Sequence, residues 1–63
     1  MYTLFCYDKS ADMYCEYKSF DTLKGSKKYV DDSRNENYLL GKMYIRSNTR
    51  VVKRYNEIGL PKL

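Results

Sequence analysis

The stretch YTLFCYDKSADMYCEYK, residues 2–18, decides the fold. Its two ends are rich in aromatic and other β-prone residues, and segment 8–12 between them is polar and turn-like, which predicts a β-hairpin. Pairing the two strands symmetrically about residues 10 and 11 places Cys6 opposite Cys15. The same register predicts three further pairs: Leu4 with Tyr17, Phe5 with Glu16, and Tyr7 with Tyr14.

Strand alternation gives this hairpin two apolar faces. One face carries Leu4, Cys6, Met13, Cys15 and Tyr17, and the other carries Phe5, Tyr7 and Tyr14. Because one helix covers only one face, we predict that the second aromatic face is an interface and that the protein is a homodimer. For the two cysteines we expect free thiols packed as small hydrophobes, and the alternative is a cross-strand disulfide.

The remainder of the chain predicts a helix followed by a second hairpin. We place hairpin 1 at residues 1–20, the helix at 21–34, hairpin 2 at 38–55 and a tail at 56–63, all in one domain 1–63. A chain of 63 residues is too short for a second core. The predicted fold is therefore α+β, an antiparallel ββαββ sheet with one short helix packed on one face.

Within these elements, the helix pattern predicts an N-cap at Asp21 and an inward stripe of Leu23, Ser26 or Lys27, Tyr29 and Val30. Hairpin 2 is predicted as a strand from Tyr38 to Arg46, a three-residue turn at 47–49 and a return strand at 50–55. Alternation then assigns Leu39, Met43, Ile45 and Val51 to the inner face.

Charge is distributed unevenly along the chain. Residues 1–36 hold six Lys/Arg against seven Asp/Glu, whereas residues 37–63 hold six Lys/Arg against Glu57 alone. Long-range attraction to an acidic partner should therefore originate in the second half.

Histidine is absent from the chain, which removes the commonest general base and the commonest metal ligand. Two cysteines do not complete a zinc site within one chain, and no glycine-rich phosphate loop is present. We therefore expect no catalytic activity, no metal and no cofactor. Because no apolar run approaches the length of a membrane span and no leader precedes residue 2, we expect a cytoplasmic protein without membrane contact.

The second hairpin is the remaining candidate site. Five cations lie within residues 42–54, interleaved with tyrosines and without an acid. The predicted partner-binding residues are Tyr38, Lys42, Tyr44, Arg46, Arg50, Val52, Arg54 and Tyr55. Tyrosine and arginine are enriched at protein interfaces, so we expect a protein partner, for example one that itself binds nucleic acid. The alternatives are direct nucleic-acid binding by the same face and a solvated basic strand without a partner.

The combination FDTL at 20–23, KKYV at 27–30 and the hairpin YIRSNTRVVKRY at 44–55 resembles small accessory proteins of bacteriophages and mobile elements. This resemblance implies an inhibitor of a host protein, such as a component of CRISPR or another nuclease-based defence, acting in the host cytoplasm. It implies no particular functional residue.

Overall fold

A computed structural model of the chain describes residues 1–58. Two strands, β1 (Tyr2–Asp8) and β2 (Met13–Phe20), precede a helix, α1 (Leu23–Asn35), and two strands follow it, β3 (Met43–Ser47) and β4 (Arg50–Tyr55). The four strands form one antiparallel sheet. The predicted α+β class and ββαββ order are confirmed.

The sheet order is β2-β1-β3-β4, so β1, the first strand in the sequence, lies in the middle and pairs with both β2 and β3. Its sequence suits this position, because β1 carries apolar side chains on both faces. Leu4 is fully buried and Phe5 is only 9% exposed, although the two neighbours point to opposite sides of the sheet. The β1–β3 pairing joins the two hairpins, with Leu4 opposite Ile45 and Phe5 opposite Tyr44.

The register predicted for hairpin 1 is confirmed at three of its four pairs: Phe5 with Glu16, Cys6 with Cys15, and Tyr7 with Tyr14. The fourth is wrong, because a bulge shifts the register and Leu4 faces Lys18 instead of Tyr17. Tyr17 nevertheless lies on the helix side, as predicted, with its ring centroid 6.4 Å from that of Tyr29. The ammonium of Lys18 also lies over Tyr29, 4.9 Å from the ring centroid.

The helix begins one residue later than predicted. Thr22, not Asp21, is the N-cap, and its hydroxyl oxygen accepts a 3.0 Å hydrogen bond from the Gly25 N–H. A Cβ at Gly25 would lie 3.0 Å from that same oxygen, so glycine leaves room for the cap. Of the two residues left open for the inward stripe, Ser26 is buried and Lys27 is exposed.

The core lies between α1 and one face of the sheet. Its fully buried apolar members are Leu4, Val30, Met43 and Ile45. The predicted inner position of Val51 is wrong, because a bulge in β4 shifts the register between Ile45 and Arg46. Val51 pairs with Arg46 on the opposite face, and Val52 packs against the core in its place.

The segment between α1 and β3 is not the predicted beginning of a strand. Residues 38–42 form an irregular loop in which Leu39 adopts a left-handed φ of 54°. The guanidinium of Arg34 holds this loop by donating to the Leu39 carbonyl at 3.3 Å and the Gly41 carbonyl at 3.0 Å. It also donates to the Asn56 carbonyl at 2.8 Å, so one side chain joins the helix, the loop and the segment after β4.

The predicted tail is described only as far as Ile58. The Ile58 N–H donates to the Leu40 carbonyl at 2.8 Å, which keeps the chain beside the loop. The remaining tail residues, 59–63, lie outside the described residues. Within 1–58, α1 is neither long nor apolar enough to cross a membrane.

Candidate partner-binding face

Within residues 1–58, one side of the sheet carries no helix, and we call it the open face. The strand residues assigned to it by pairing and alternation are Thr3, Phe5, Tyr7, Tyr14, Glu16, Ser19, Tyr44, Arg46, Val51 and Arg54. Its centre is aromatic, and its charged residues lie toward the two outer strands.

Four aromatic rings form a continuous row across β2, β1 and β3, and we call this row the ring cluster: Phe5, Tyr7, Tyr14 and Tyr44. The Phe5 and Tyr44 rings are stacked, with centroids 4.9 Å apart and planes 8° apart. Tyr14 meets Tyr44 edge to face at 4.9 Å, and Tyr7 meets Tyr14 edge to face at 5.3 Å. Offset stacks and edge contacts are the favourable geometries for aromatic pairs.

Arg46 covers the ring cluster at its β3 end. The guanidinium carbon lies 4.6 Å from the Phe5 ring centroid, within the range of a cation–π contact. This contact, together with the Tyr44 stack, explains why Phe5 is 9% exposed although no helix lies above it. Arg54 pairs with Tyr44 from the edge strand β4 and adds a second cation beside the rings.

The open face combines two surfaces that the sequence predicted separately. Phe5, Tyr7 and Tyr14 were assigned to a dimer interface on hairpin 1, and the cationic residues to a partner site on hairpin 2. Because β1 pairs directly with β3, the aromatic set lies on the same side of the sheet as Arg46 and Arg54 of the cationic set. The candidate site is therefore one face with contributions from both hairpins.

Three residues predicted for partner binding lie elsewhere. Val52 packs against the core because of the bulge in β4, and Tyr55 of the same strand also packs against the core. The Tyr55 ring lies beneath the Arg34 guanidinium, 5.2 Å from centroid to guanidinium carbon, and burial raises the pKa of its hydroxyl. Tyr38 lies in the loop before β3, where its hydroxyl is 3.2 Å from that of Tyr17.

Lys42 and Arg50 are at the margins of the site. Lys42 directly precedes β3, and its carbonyl accepts a 2.9 Å hydrogen bond from the Tyr7 N–H. Arg50 pairs with Ser47 next to the turn, one position out of phase with Arg46, so alternation assigns it to the helix side. Both side chains are exposed and add to the positive field without touching the rings named above.

The β2 side of the open face has the opposite charge. Glu16 faces Phe5, and the Tyr7 hydroxyl donates to the Asp12 carboxylate in the adjoining turn. This hydrogen bond is the main cause of a raised pKa at Tyr7. In the same turn, the Asp8 carboxylate accepts from the Ser10 hydroxyl and N–H, which lowers the pKa of Asp8. The open face thus runs from acidic at β2 to basic at β4.

A second aromatic group on the helix side was missed by sequence reasoning. It consists of Tyr17, Phe20, Tyr29 and Tyr38, with Lys18 above two of the rings. The pKa of Tyr17 is strongly raised, chiefly by its hydrogen bond with Tyr38 and then by Tyr29. Alternation and the helix stripe assign Tyr17 and Tyr29 to this side, but Tyr38 joins them from a loop that was interpreted as a strand.

The described residues offer little support for another kind of site. No three His, Cys, Asp or Glu side chains within 1–58 are grouped closely enough to hold a metal ion. The groove along the outer side of α1 is lined by Leu23, three lysines and two aspartates, and it includes an exposed Lys28–Asp32 ion pair at 2.9 Å. Such a pair is typical of a solvated helix surface.

Comparisons with protein-family models, with curated proteins and with solved structures each returned no match. The functional interpretation therefore depends on the residues of the open face themselves.

Proposed function

We propose that this protein is a non-enzymatic binding module that holds a partner protein on the open face. The observation that carries the proposal is the ring cluster of Phe5, Tyr7, Tyr14 and Tyr44, flanked by Arg46 and Arg54 and left uncovered by the only helix in residues 1–58. Tyrosine and arginine are the residues that most often anchor protein interfaces, because each offers a large apolar surface with a polar end.

The orientation of the rings favours a protein over a nucleic acid. A base that stacks on a protein needs a free aromatic face. Here Arg46 lies over Phe5, and the edge of one ring meets the face of the next at Tyr14 and Tyr44. A protein side chain can contact ring edges and hydroxyl groups without displacing this packing.

Charge defines the partner further. The basic edge at Arg46 and Arg54 fits acidic residues on the partner, and the acidic edge at Glu16 fits a basic residue. That the partner is a host-defence protein, as the resemblance implies, stays a prediction. The predicted homodimer also stays a prediction. Its residues Phe5, Tyr7 and Tyr14 belong to the ring cluster, so a second copy would compete with the partner for the same face.

The proposal is tested with two charge-reversal variants of equal net charge. Arg46→Glu with Arg54→Glu alters the open face, and Lys24→Glu with Lys27→Glu alters exposed positions on α1 as the control. Immobilised protein is incubated with lysate of a bacterial host, and captured proteins are quantified by mass spectrometry. We expect the wild type and the control to capture the same specific partner. The open-face variant should capture at least about tenfold less of it.

Circular dichroism must show that both variants are folded at the temperature of the experiment before capture is compared. A partner retained equally by the open-face variant contradicts the proposal. Sedimentation of the wild type at micromolar concentrations tests the homodimer separately.

Single-stranded nucleic acid is the second candidate ligand, and the observation in its favour is Arg46 and Arg54 beside aromatic residues on a sheet face. Fluorescence anisotropy with a labelled oligonucleotide at two salt concentrations tests it. Phosphate contacts would make the affinity fall steeply with salt. If the oligonucleotide binds the wild type in a salt-dependent way and does not bind the open-face variant, the ligand of the open face is a nucleic acid and not a protein.

A further inference from the structure

The only two cysteines of the chain face each other across β1 and β2. Directly opposed residues in an antiparallel pair have Cα atoms about 4.5–5.5 Å apart, and their side chains lie on the same face. Disulfides join residues whose Cα atoms are about 4.4–6.8 Å apart. The Cα separation expected for the Cys6–Cys15 pair therefore falls within the range found in disulfides.

The two thiols differ in their surroundings. Cys15 lies on the edge strand and is exposed, whereas Cys6 lies on the central strand and is partly buried. Burial raises the pKa of Cys6, which makes it the less reactive thiol toward a reagent in solution. An oxidant is therefore expected to react first with Cys15. Cys6 lies directly opposite and can then form the second bond.

We propose that Cys6 and Cys15 are a reversible redox site that is oxidised to a cross-strand disulfide by a low-molecular-weight disulfide. The Cys15 thiolate attacks one sulfur of the oxidant, which forms a mixed disulfide and releases one small thiol. The Cys6 thiolate then attacks the Cys15 sulfur and releases the second small thiol. The two electrons and two protons lost by the protein are accounted for by the two small thiols formed.

This bond would lie immediately beneath half of the ring cluster. Cys6 separates Phe5 from Tyr7, and Cys15 separates Tyr14 from Glu16. Oxidation would therefore join β1 and β2 at the point where the Tyr7 and Tyr14 rings meet on the opposite face. The site is independent of the proposed function, because it depends on strand register alone.

The experiment treats the folded protein with excess glutathione disulfide and follows its mass. We expect the wild type to lose two hydrogens, to retain no glutathione, and to recover its original mass on addition of dithiothreitol. The thermal unfolding midpoint of the oxidised form should rise by roughly 10–20 °C, because the bond restricts the unfolded chain.

Two variants separate this pairing from ordinary thiol reactivity. Cys6→Ser should keep one glutathione on Cys15, since no second thiol can displace it. Cys15→Ser combined with Glu16→Cys moves the exposed thiol by one residue to the open face, and it too should keep the adduct. A wild type that retains glutathione, or that forms disulfide-linked dimers, overturns the proposal, as does an internal disulfide formed equally well by the displaced variant.

Discussion

The two faces of the central strand β1 are shielded from water by different means. On the helix side, Leu4 is fully buried against Val30 of α1 and the neighbouring strand residues Met43 and Ile45. On the open face, Phe5 is 9% exposed, and its neighbours are an adjacent ring and the guanidinium of Arg46. One side chain is covered by a second layer, and the other by lateral contacts within the sheet.

The difference shows how the 58 described residues shield both faces of a four-stranded sheet with a single helix. Tyrosine and arginine side chains can cover a phenylalanine ring and still face water, because each has an apolar body and a polar end. A face built in this way is stable in water and still offers ring edges, hydroxyls and cations to a partner. The same residues therefore have a structural and a binding role.

Replacing one β1 side chain on each face by alanine should give the largest change in stability and test the comparison directly. We expect Leu4→Ala to destabilise the fold by about 3 kcal/mol, because it removes buried methyl groups and leaves a cavity. That is most of the roughly 3–5 kcal/mol available to a domain of this size. Phe5→Ala should cost about 1.5–2 kcal/mol, since water can fill the space and no closed cavity remains.

Urea unfolding followed by circular dichroism measures both free energies. If Phe5→Ala costs as much as Leu4→Ala, the open face is packed as tightly as the core and the comparison fails.

An effect of intermediate size is expected from two arginines that each lie over an aromatic ring, one on each side of the sheet. Arg34, over Tyr55 on the helix side, also donates to three carbonyls, and Arg46, over Phe5, covers a ring on the open face. We expect Arg34→Lys to cost about 2 kcal/mol, because the ammonium cannot reproduce the guanidinium fork and the left-handed Leu39 loses its support.

The matched change Arg46→Lys should cost about 0.5 kcal/mol, since only a cation–π contact weakens. Thermal unfolding ranks the two variants, and an equal loss would show that Arg34 is not the main support of the loop.

The smallest effect concerns alkaline pH. The hydrogen bond to Asp12 raises the pKa of Tyr7 in the folded state. Because the folded pKa lies above the unfolded value of about 10, this stabilisation is fully present below about pH 10 and is lost as the pH rises through the folded pKa.

Tyr7→Phe should therefore reduce the dependence of stability on pH between about pH 9 and pH 11, which urea titrations at several pH values measure. Asp12→Asn should act in the same direction. A pH dependence identical to that of the wild type in both variants would contradict this role for the Tyr7–Asp12 contact.

The sequence predicts the elements of this fold better than their arrangement. The register of hairpin 1 follows from two strands around one short turn, so Cys6 and Cys15 are paired correctly. The bulges at the Leu4/Phe5 and Ile45/Arg46 steps have no local signal, and one extra residue exchanges Val51 with Val52 between faces.

The same limit applies to the site. Tyr44, Arg46 and Arg54 are on the open face as alternation predicts, whereas the bulge puts Arg50 and Val52 on the helix side. Tyr55 was included among the partner-binding residues although alternation from Arg54 puts it on the helix side, where it pairs with Met43. That both hairpins contribute to one face depends on the β1–β3 pairing, a contact between distant parts of the sequence that periodicity cannot predict. The role of Arg34 is equally hidden, since it depends on where a loop passes the end of the helix.

The central position of β1 also affects how the chain reaches its native state during synthesis. Hairpin 1 needs only residues up to Phe20, whereas the other edge of β1 is paired only after β3, which begins at Met43, has been synthesised. Until then, β1 presents unpaired backbone groups beside Leu4 and Phe5, the kind of apolar edge that recruits other strands. Pairing with β3 covers this edge and leaves β1 in the middle of the sheet.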